Sequence, residues 1–255
     1  MVLAIDAGNT ALKVGAWDGH RFTGVFRRPA DPTATAAEIE DWLWARLADL
    51  EIPRTFSAAV CCSVVPQLED SLAALDLGTP LRFLRSAAQV EMQSHYEPPA
   101  SLGADRLANV VGASVEAKPP FVVVDLGTAT KLDAVDSSGT YRGGAILPGL
   151  EMSAKMLAEG TAQLPEIPIQ LPSAAIGRST LECLQSGIVL GHVSAVAGLV
   201  RLFARELGEK PTVLSTGGLA SMFPAFEGFT VRSFPDLTLR GLVAFSERGK
   251  AGQTN

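Results

Sequence analysis

The sequence predicts an α/β protein made of two related halves. Three observations carry this expectation. Short apolar runs alternate with segments of helical period along the chain. The opening Leu3-Ala-Ile-Asp6-Ala-Gly8-Asn9 returns as Val122-Val-Val-Asp125-Leu-Gly127-Thr128, each an apolar strand followed by Asp-x-Gly and a small polar residue. Between the two stands Lys118-Pro119-Pro120, where paired prolines stop a helix and stiffen a connector.

The elements follow in order. Val2 to Ile5 reads as a buried strand that runs into a glycine turn, and Leu12 to Trp17 and Arg21 to Arg27 as two further strands joined at Asp18-Gly19. Thr35 to Leu50 carries Ile39, Trp42, Leu43, Leu47 and Leu50 at helical spacing. Ser57 to Val65 is a buried strand closed by Pro66, residues 67–76 are helical, and Leu81 to Leu84 is a strand. A loop marked by Pro98-Pro99 precedes a helix from Ala104 to Glu116. In the second half, strand-like sequence and a turn at Ser138-Gly139 again follow the Asp-x-Gly motif, then Gly143-Gly144-Ala-Ile-Leu-Pro148-Gly149 and a helix through Leu157. Thr161 to Ser173 is a proline-rich loop, and Ser179 to Leu207 is helical with a bend near Gly187 and Gly191. Thr212 to Ser215 is a buried strand, Leu219 to Phe223 opens a helix, Phe229 to Ser233 is an edge strand and Leu237 to Ser246 the last helix. The expected division is therefore residues 1–117, residues 118–248 and a frayed tail, residues 249–255.

Composition narrows the function. With 47% hydrophobic residues among 255, the chain is no disordered or low-complexity protein. A net charge of -6 argues against a protein whose main task is gripping nucleic-acid phosphates. The start lacks a basic n-region, Asp6 interrupts the apolar run, and no run of about 18 uncharged apolar residues occurs, so neither a signal peptide nor a membrane span is expected. Three cysteines (the adjacent Cys61 and Cys62, and Cys183) make no disulfide framework and point to a reduced, cytoplasmic compartment.

Three glycine turns follow buried strands: Asp6-x-Gly8, Asp125-x-Gly127 and Thr216-Gly217-Gly218. Glycine lets backbone N–H groups approach phosphate oxygens, and strand-end carboxylates hold Mg²⁺ directly or through water. If Asp6 and Asp125 meet in one cleft, the pattern is that of a nucleotide site. The chain lacks Gly-x4-Gly-Lys-Ser/Thr, Gly-x-Gly-x-x-Gly and His-Glu-x-x-His, which removes P-loop, simple dinucleotide and zincin chemistry. Gly103-Ala104-Asp105-Arg106, with Asn109 one turn on, stands at a helix start. Asp105 there could take a proton from a hydroxyl and Arg106 could neutralise phosphate charge; the plain alternative is a cap and a solvated charge. His20, His95 and His192 are too scattered for a metal cluster, Cys61 and Cys62 read as inert buried thiols, and Trp42 and Trp44 as packing residues.

An ordered set of motifs resembles the type III pantothenate kinases: Asp6-x-Gly8-Asn9-Thr10 with Gly15, Ser63-Val-Val-Pro66, Gly103-Ala-Asp105-Arg106, Asp125-x-Gly127-Thr128-Ala129 with Asp133, Gly143-Gly-x-Ile-x-Pro148-Gly149, and Thr216-Gly-Gly218. Ile176-Gly177 with Ser179-Thr180, Ser186-Gly187 and Leu237-Thr-Leu-Arg-Gly241-Leu add to it, so the resemblance covers residues 2–245. It implies two related actin-like (ribonuclease H-like) domains with mixed sheets flanked by helices. It also implies ATP-dependent phosphorylation of pantothenate, the first step of coenzyme A synthesis, by a homodimer that needs Mg²⁺ and a monovalent cation, K⁺ or NH₄⁺. By the same resemblance Asp105 is the general base. Asp6, Gly8, Asn9, Thr10, Lys13, Gly127 and Thr128 hold ATP phosphates, with Asp6 on Mg²⁺ through water. Tyr96, Gly103, Ala104, Asp105 and Arg106 bind pantothenate, Thr180 reaches it from the partner subunit, and Asp125 ligates the monovalent cation.

Two positions depart from the family pattern. Lys131 stands where a Thr is usual in Asp-x-Gly-Thr-Ala-x-Thr-x-Asp, on the strand face shared by Ala129 and Asp133. Its ammonium could pair with Asp133 or Asp125 and supplant the monovalent cation, could point to solvent, or could impair catalysis. Tyr96-Glu-Pro98-Pro99 replaces Tyr-x-Asn-Pro and removes an amide from the loop. The alternatives to a pantothenate kinase are a catalytically impaired relative acting as a regulatory or accessory factor, and a kinase of another small alcohol.

Overall fold

The computed structural model describes residues 1–222, 228–229 and 231–251. Five strands form the first sheet: β1 (Val2–Ala7), β2 (Ala11–Trp17), β3 (Phe22–Pro29), β4 (Ala58–Ser63) and β5 (Leu81–Phe83), in the order β3-β2-β1-β4-β5. Val2 to Ile5 is apolar without alternation because β1 is central and covered on both faces. It pairs antiparallel with β2 and parallel with β4, so Asp6 at its carboxyl end lies opposite Lys13 on one side and Cys62 on the other.

A second sheet repeats the plan with β6 (Phe121–Leu126), β7 (Ala129–Val135), β8 (Tyr141–Pro148), β9 (Thr212–Thr216) and β10 (Val231–Ser233), in the order β10-β9-β6-β7-β8. Here β6 takes the place of β1: antiparallel to β7, parallel to β9, with Asp125 opposite Lys131 and Thr216. The register slips at matching points, between Ala16 and Trp17 and between Ala134 and Val135. The turns that follow place Gly19 at φ +112 and Gly139 at φ +83, the left-handed region that glycine enters without strain. The sequence repeat is thus a repeat of topology, register and irregularity.

Helix α1 (Ala36–Asp49) opens on a capping box between Thr35 and Glu38 and buries Ile39, Leu43 and Leu47 against the first sheet's core. Trp42 and Trp44 pack beside it under the guanidiniums of Arg28 and Arg54. The helix expected over residues 67–76 is shorter. Pro66 begins a 3₁₀ turn through Leu68, only Glu69–Ala73 is α-helical (α2), and positive-φ Gly78 then turns the chain towards β5. In the second half, α4 (Leu150–Glu159) follows β8, and α5 (Thr180–Gln185) passes through a π-turn at Ser186–Leu190 into α6 (Gly191–Leu207). The bend expected near Gly187 and Gly191 is this π-turn. The stretch Thr180–Leu207 is long and apolar enough by composition to cross a membrane, contrary to the sequence expectation, yet Val189, Val196 and Val200 along it are fully buried in the second core. Leu219 begins a 3₁₀ turn, Ala220–Met222, while Phe223 lies outside the described residues. Val231–Ser233 is the edge strand, and Thr230 and residues 252–255 lie outside the described residues.

The chain divides into Met1–Glu116 with Asp236–Asn255, and Ala117–Pro235. The last helix, α7 (Leu237–Ala251), therefore returns to the first unit, where the sequence reading kept it with the second half. The cause is its packing on α3 (Ala104–Glu116). A Cβ at Gly241 would collide with the Ala108 carbonyl oxygen, and one at Gly112 with that of Leu237. Thr238 donates to Asn109 Oδ1 at 2.7 Å, and Arg240 bridges Glu116 (2.8 Å) and Asp236 (3.0 Å). Leu237, Leu239 and Leu242 are fully buried.

Two predictions follow from this packing and from the β7–β8 turn. Gly241→Ala forces the α3–α7 backbones apart and should cost about 1–3 kcal/mol or more in urea unfolding. In the turn, the Ser138 hydroxyl, then Arg142 and the Thr140 and Ser138 N–H groups, hold the Asp136 carboxyl down at about 2 from 3.8. A depressed folded value contributes stability above 3.8 that is lost as pH falls through about 2, so the urea-midpoint gap between wild type and Asp136→Asn should close over that interval.

Candidate active site

In the first unit the site grows from the carboxyl end of β1. The register sets Asp6 beside Cys62, whose thiol donates to Asp6 Oδ1 at 3.6 Å. Burial pushes the Cys62 thiol well up, and the negative charges of Asp6 and Asp105 push it further. The Asp6 carboxylate is thus held against the thiol, and Asp105 adds to the negative field around it. Cys62 is neutral there; what the sequence reading missed is that it braces Asp6, because only the parallel β1–β4 register reveals the neighbour.

Asp105 sits in the first turn of α3, where the helix dipole favours a carboxylate. Its Oδ1 accepts the Arg106 backbone N–H at 2.8 Å. Gly103 makes room for it, since a Cβ there would stand 2.8 Å from that same oxygen. Ala104 is the helix's first residue. Arg106 is buried, donates from Nη1 to the Tyr96 hydroxyl at 3.1 Å, and stacks over the Tyr96 ring at 5.3 Å. Tyr96 is thus held by Arg106 although the loop lacks the family's Asn. Gly8 donates its N–H to the Ala11 carbonyl at 3.0 Å, which closes the loop after β1. Asn9 and Thr10 are exposed in that loop, and the Thr10 carbonyl accepts from Ala30 at 2.9 Å. Lys13 is half-buried opposite Asp6.

In the second unit, two of the three glycine turns converge at the end of β6. Gly149 donates to the Thr128 carbonyl at 3.1 Å, and a Cβ on Gly149 would collide with the Thr128 and Gly127 carbonyl oxygens. Gly217, at φ +94, lies against the Leu126 backbone, and Leu219 N–H reaches the Leu126 carbonyl at 3.3 Å. Thr128 is left exposed on this frame and Gly127 half-buried. Lys131 Nζ stands 3.4 Å from Asp125 Oδ2, so of its possible partners the lysine takes Asp125. Asp133, also in the family motif, is fully buried and accepts the Tyr141 hydroxyl at 2.7 Å. His192 Nε2 lies 2.9 Å from the buried Thr130 hydroxyl, and burial pushes its pKa down. Nothing in the sequence singled out that pair. Thr180 opens α5, capped by Ser179, and is exposed.

Among the described residues no three His, Cys, Asp or Glu side chains group to hold a metal ion. A single strand-end carboxylate such as Asp6 instead suits Mg²⁺, which keeps several waters and binds through one or two carboxylates plus substrate phosphates.

Residues 2–202 match the family model for type III pantothenate kinase. A type III pantothenate kinase of Paramagnetospirillum magneticum is 38% identical over 253 residues, 97% of each chain. A Sinorhizobium meliloti protein provisionally described as a 2-dehydro-3-deoxygalactonokinase shares the fold at TM-score 0.65 over the whole of both chains with 15% identity. The apo pSK41 ParM protein does so at TM-score 0.51 with 10% identity, covering 99% of this chain and 97% of that one. The two repeated sheets are thus a fold shared with both of these proteins, and with a full-length relative well above 30% identity, the chain belongs to the type III pantothenate kinase family.

Proposed function

We propose that the protein transfers the γ-phosphoryl group of ATP to the primary hydroxyl of pantothenate, opening coenzyme A synthesis, with Asp105 as the general base. The observation that carries this is Asp105 in the first turn of α3, its carboxylate fixed by the Arg106 N–H beside the part-buried Arg106–Tyr96 pair. Phosphoryl transfer needs positioning and charge neutralisation more than covalent chemistry. Asp105, fixed by the Arg106 N–H, accepts the proton as the hydroxyl attacks. Arg106 and Tyr96 hold pantothenate, with Gly103 and Ala104 lining the approach. The loops of Gly8, Asn9 and Thr10 and of Gly127 and Thr128 would take the phosphates, with the Thr10 and Thr128 hydroxyls as donors, and Lys13 adds a positive charge opposite Asp6. Asp6 would hold Mg²⁺ through water, and the ion when bound neutralises phosphate charge.

The exposed Ile176 and Leu181 beside Thr180, with Leu202 further along, support a homodimer in which Thr180 reaches the partner's substrate. The three free cysteines support a cytoplasmic location, and the acidic charge a role without nucleic acid.

Purified protein with Mg-ATP should convert pantothenate to phosphopantothenate. Asp105→Asn should lower kcat by about 10²–10⁴-fold with KM little changed; turnover only on another alcohol, or none at all, would contradict the assignment. Arg106→Lys keeps the charge but loses the fork that stacks on and bonds Tyr96. It should raise KM for pantothenate by about 10–100-fold in the same assay.

A further inference from the structure

The family resemblance places a monovalent cation at Asp125, and the residues present do not fit one. The Asp125 carboxylate already carries the Lys131 ammonium at 3.4 Å, with side-chain exposures of 14% and 19%. Lys131 therefore does not point to solvent. Strand pairing puts it directly opposite Asp125, while its neighbours Thr130 and Leu132 face the buried side of β7. The first half has the same cross-strand relation, Lys13 opposite Asp6, so a lysine across from the strand-end aspartate is part of this chain's repeated plan. A second cation at Asp125 would lose hydration and stand against an ammonium of equal charge.

We infer that the Lys131 ammonium is a built-in monovalent cation, which takes the place of K⁺ or NH₄⁺ and makes nucleotide binding independent of either ion. This rests on the ATP-binding role proposed above. The ammonium is a compact point charge of similar size to those ions, and its stem fixes it where a free ion would have to be captured.

The test is calorimetric binding of Mg with a non-hydrolysable ATP analogue to the full chain, without pantothenate, in equimolar KCl, NH₄Cl, NaCl or tetramethylammonium chloride. Wild-type Kd should agree within about twofold across the four salts, and Lys131→Thr should bind about tenfold more weakly in NaCl than in KCl. Circular dichroism checks that the variant folds; if it does not, the wild-type salt series decides alone. Wild-type affinity that collapses without K⁺ or NH₄⁺, or a folded Lys131→Thr with no K⁺ response, overturns the inference. Absence of binding in every salt overturns the proposed function and this inference with it.

Discussion

Parallel pairing at the centre of each sheet is the constraint on which the molecule depends. Because β1 runs beside β4 and β6 beside β9, the carboxyl ends of paired strands emerge together, and ligands in open α/β sheets bind outside such ends. Asp6 and Asp125 are the residues at those ends. Each is fixed by a central strand buried on both faces, with antiparallel and parallel partners that allow no slip without moving the apolar run out of the core. A carboxylate placed there keeps its position.

What surrounds each carboxylate differs, and the difference divides the labour. Asp6 is braced by a neutral thiol, and Asp105, a second carboxylate, stands at a helix start. Those neighbours support the roles proposed for them, metal-bound phosphate at Asp6 and proton acceptance at Asp105. Asp125 is neutralised by Lys131 and framed by three close backbone approaches at Gly149, Gly217 and Leu219. That is a setting for a fixed charge and a rigid loop. The repeated plan supplies two equivalent strand ends, and a few differing side chains make them unequal.

Much of this was legible in the sequence because it is local. The Asp-x-Gly turns, the helical spacing from Thr35 to Leu50, an irregularity near Gly187 and the helix-start cluster at Gly103–Arg106 announce themselves within a few residues. What was not legible depends on contacts between distant segments. The return of α7 to the first unit rests on Gly112 meeting Gly241, where the information is the absence of two side chains. The bracing of Asp6 by Cys62 needs the β1–β4 register, and the Thr130–His192 pair joins a strand to a helix across 62 positions. The helix over residues 67–76 failed for a simpler reason. Pro66 opens a 3₁₀ turn through Leu68 and the α-helix ends at Ala73, and apolar spacing is blind to both changes.

The most direct test of the central claim is a crystal structure with Mg, a non-hydrolysable ATP analogue and pantothenate bound together. The account predicts the pantothenate primary hydroxyl within about 2.6–3.2 Å of an Asp105 carboxylate oxygen, with the metal-bound phosphates at the Asp6 loop. A hydroxyl facing any other side chain, or phosphates bound away from Asp6, would contradict it.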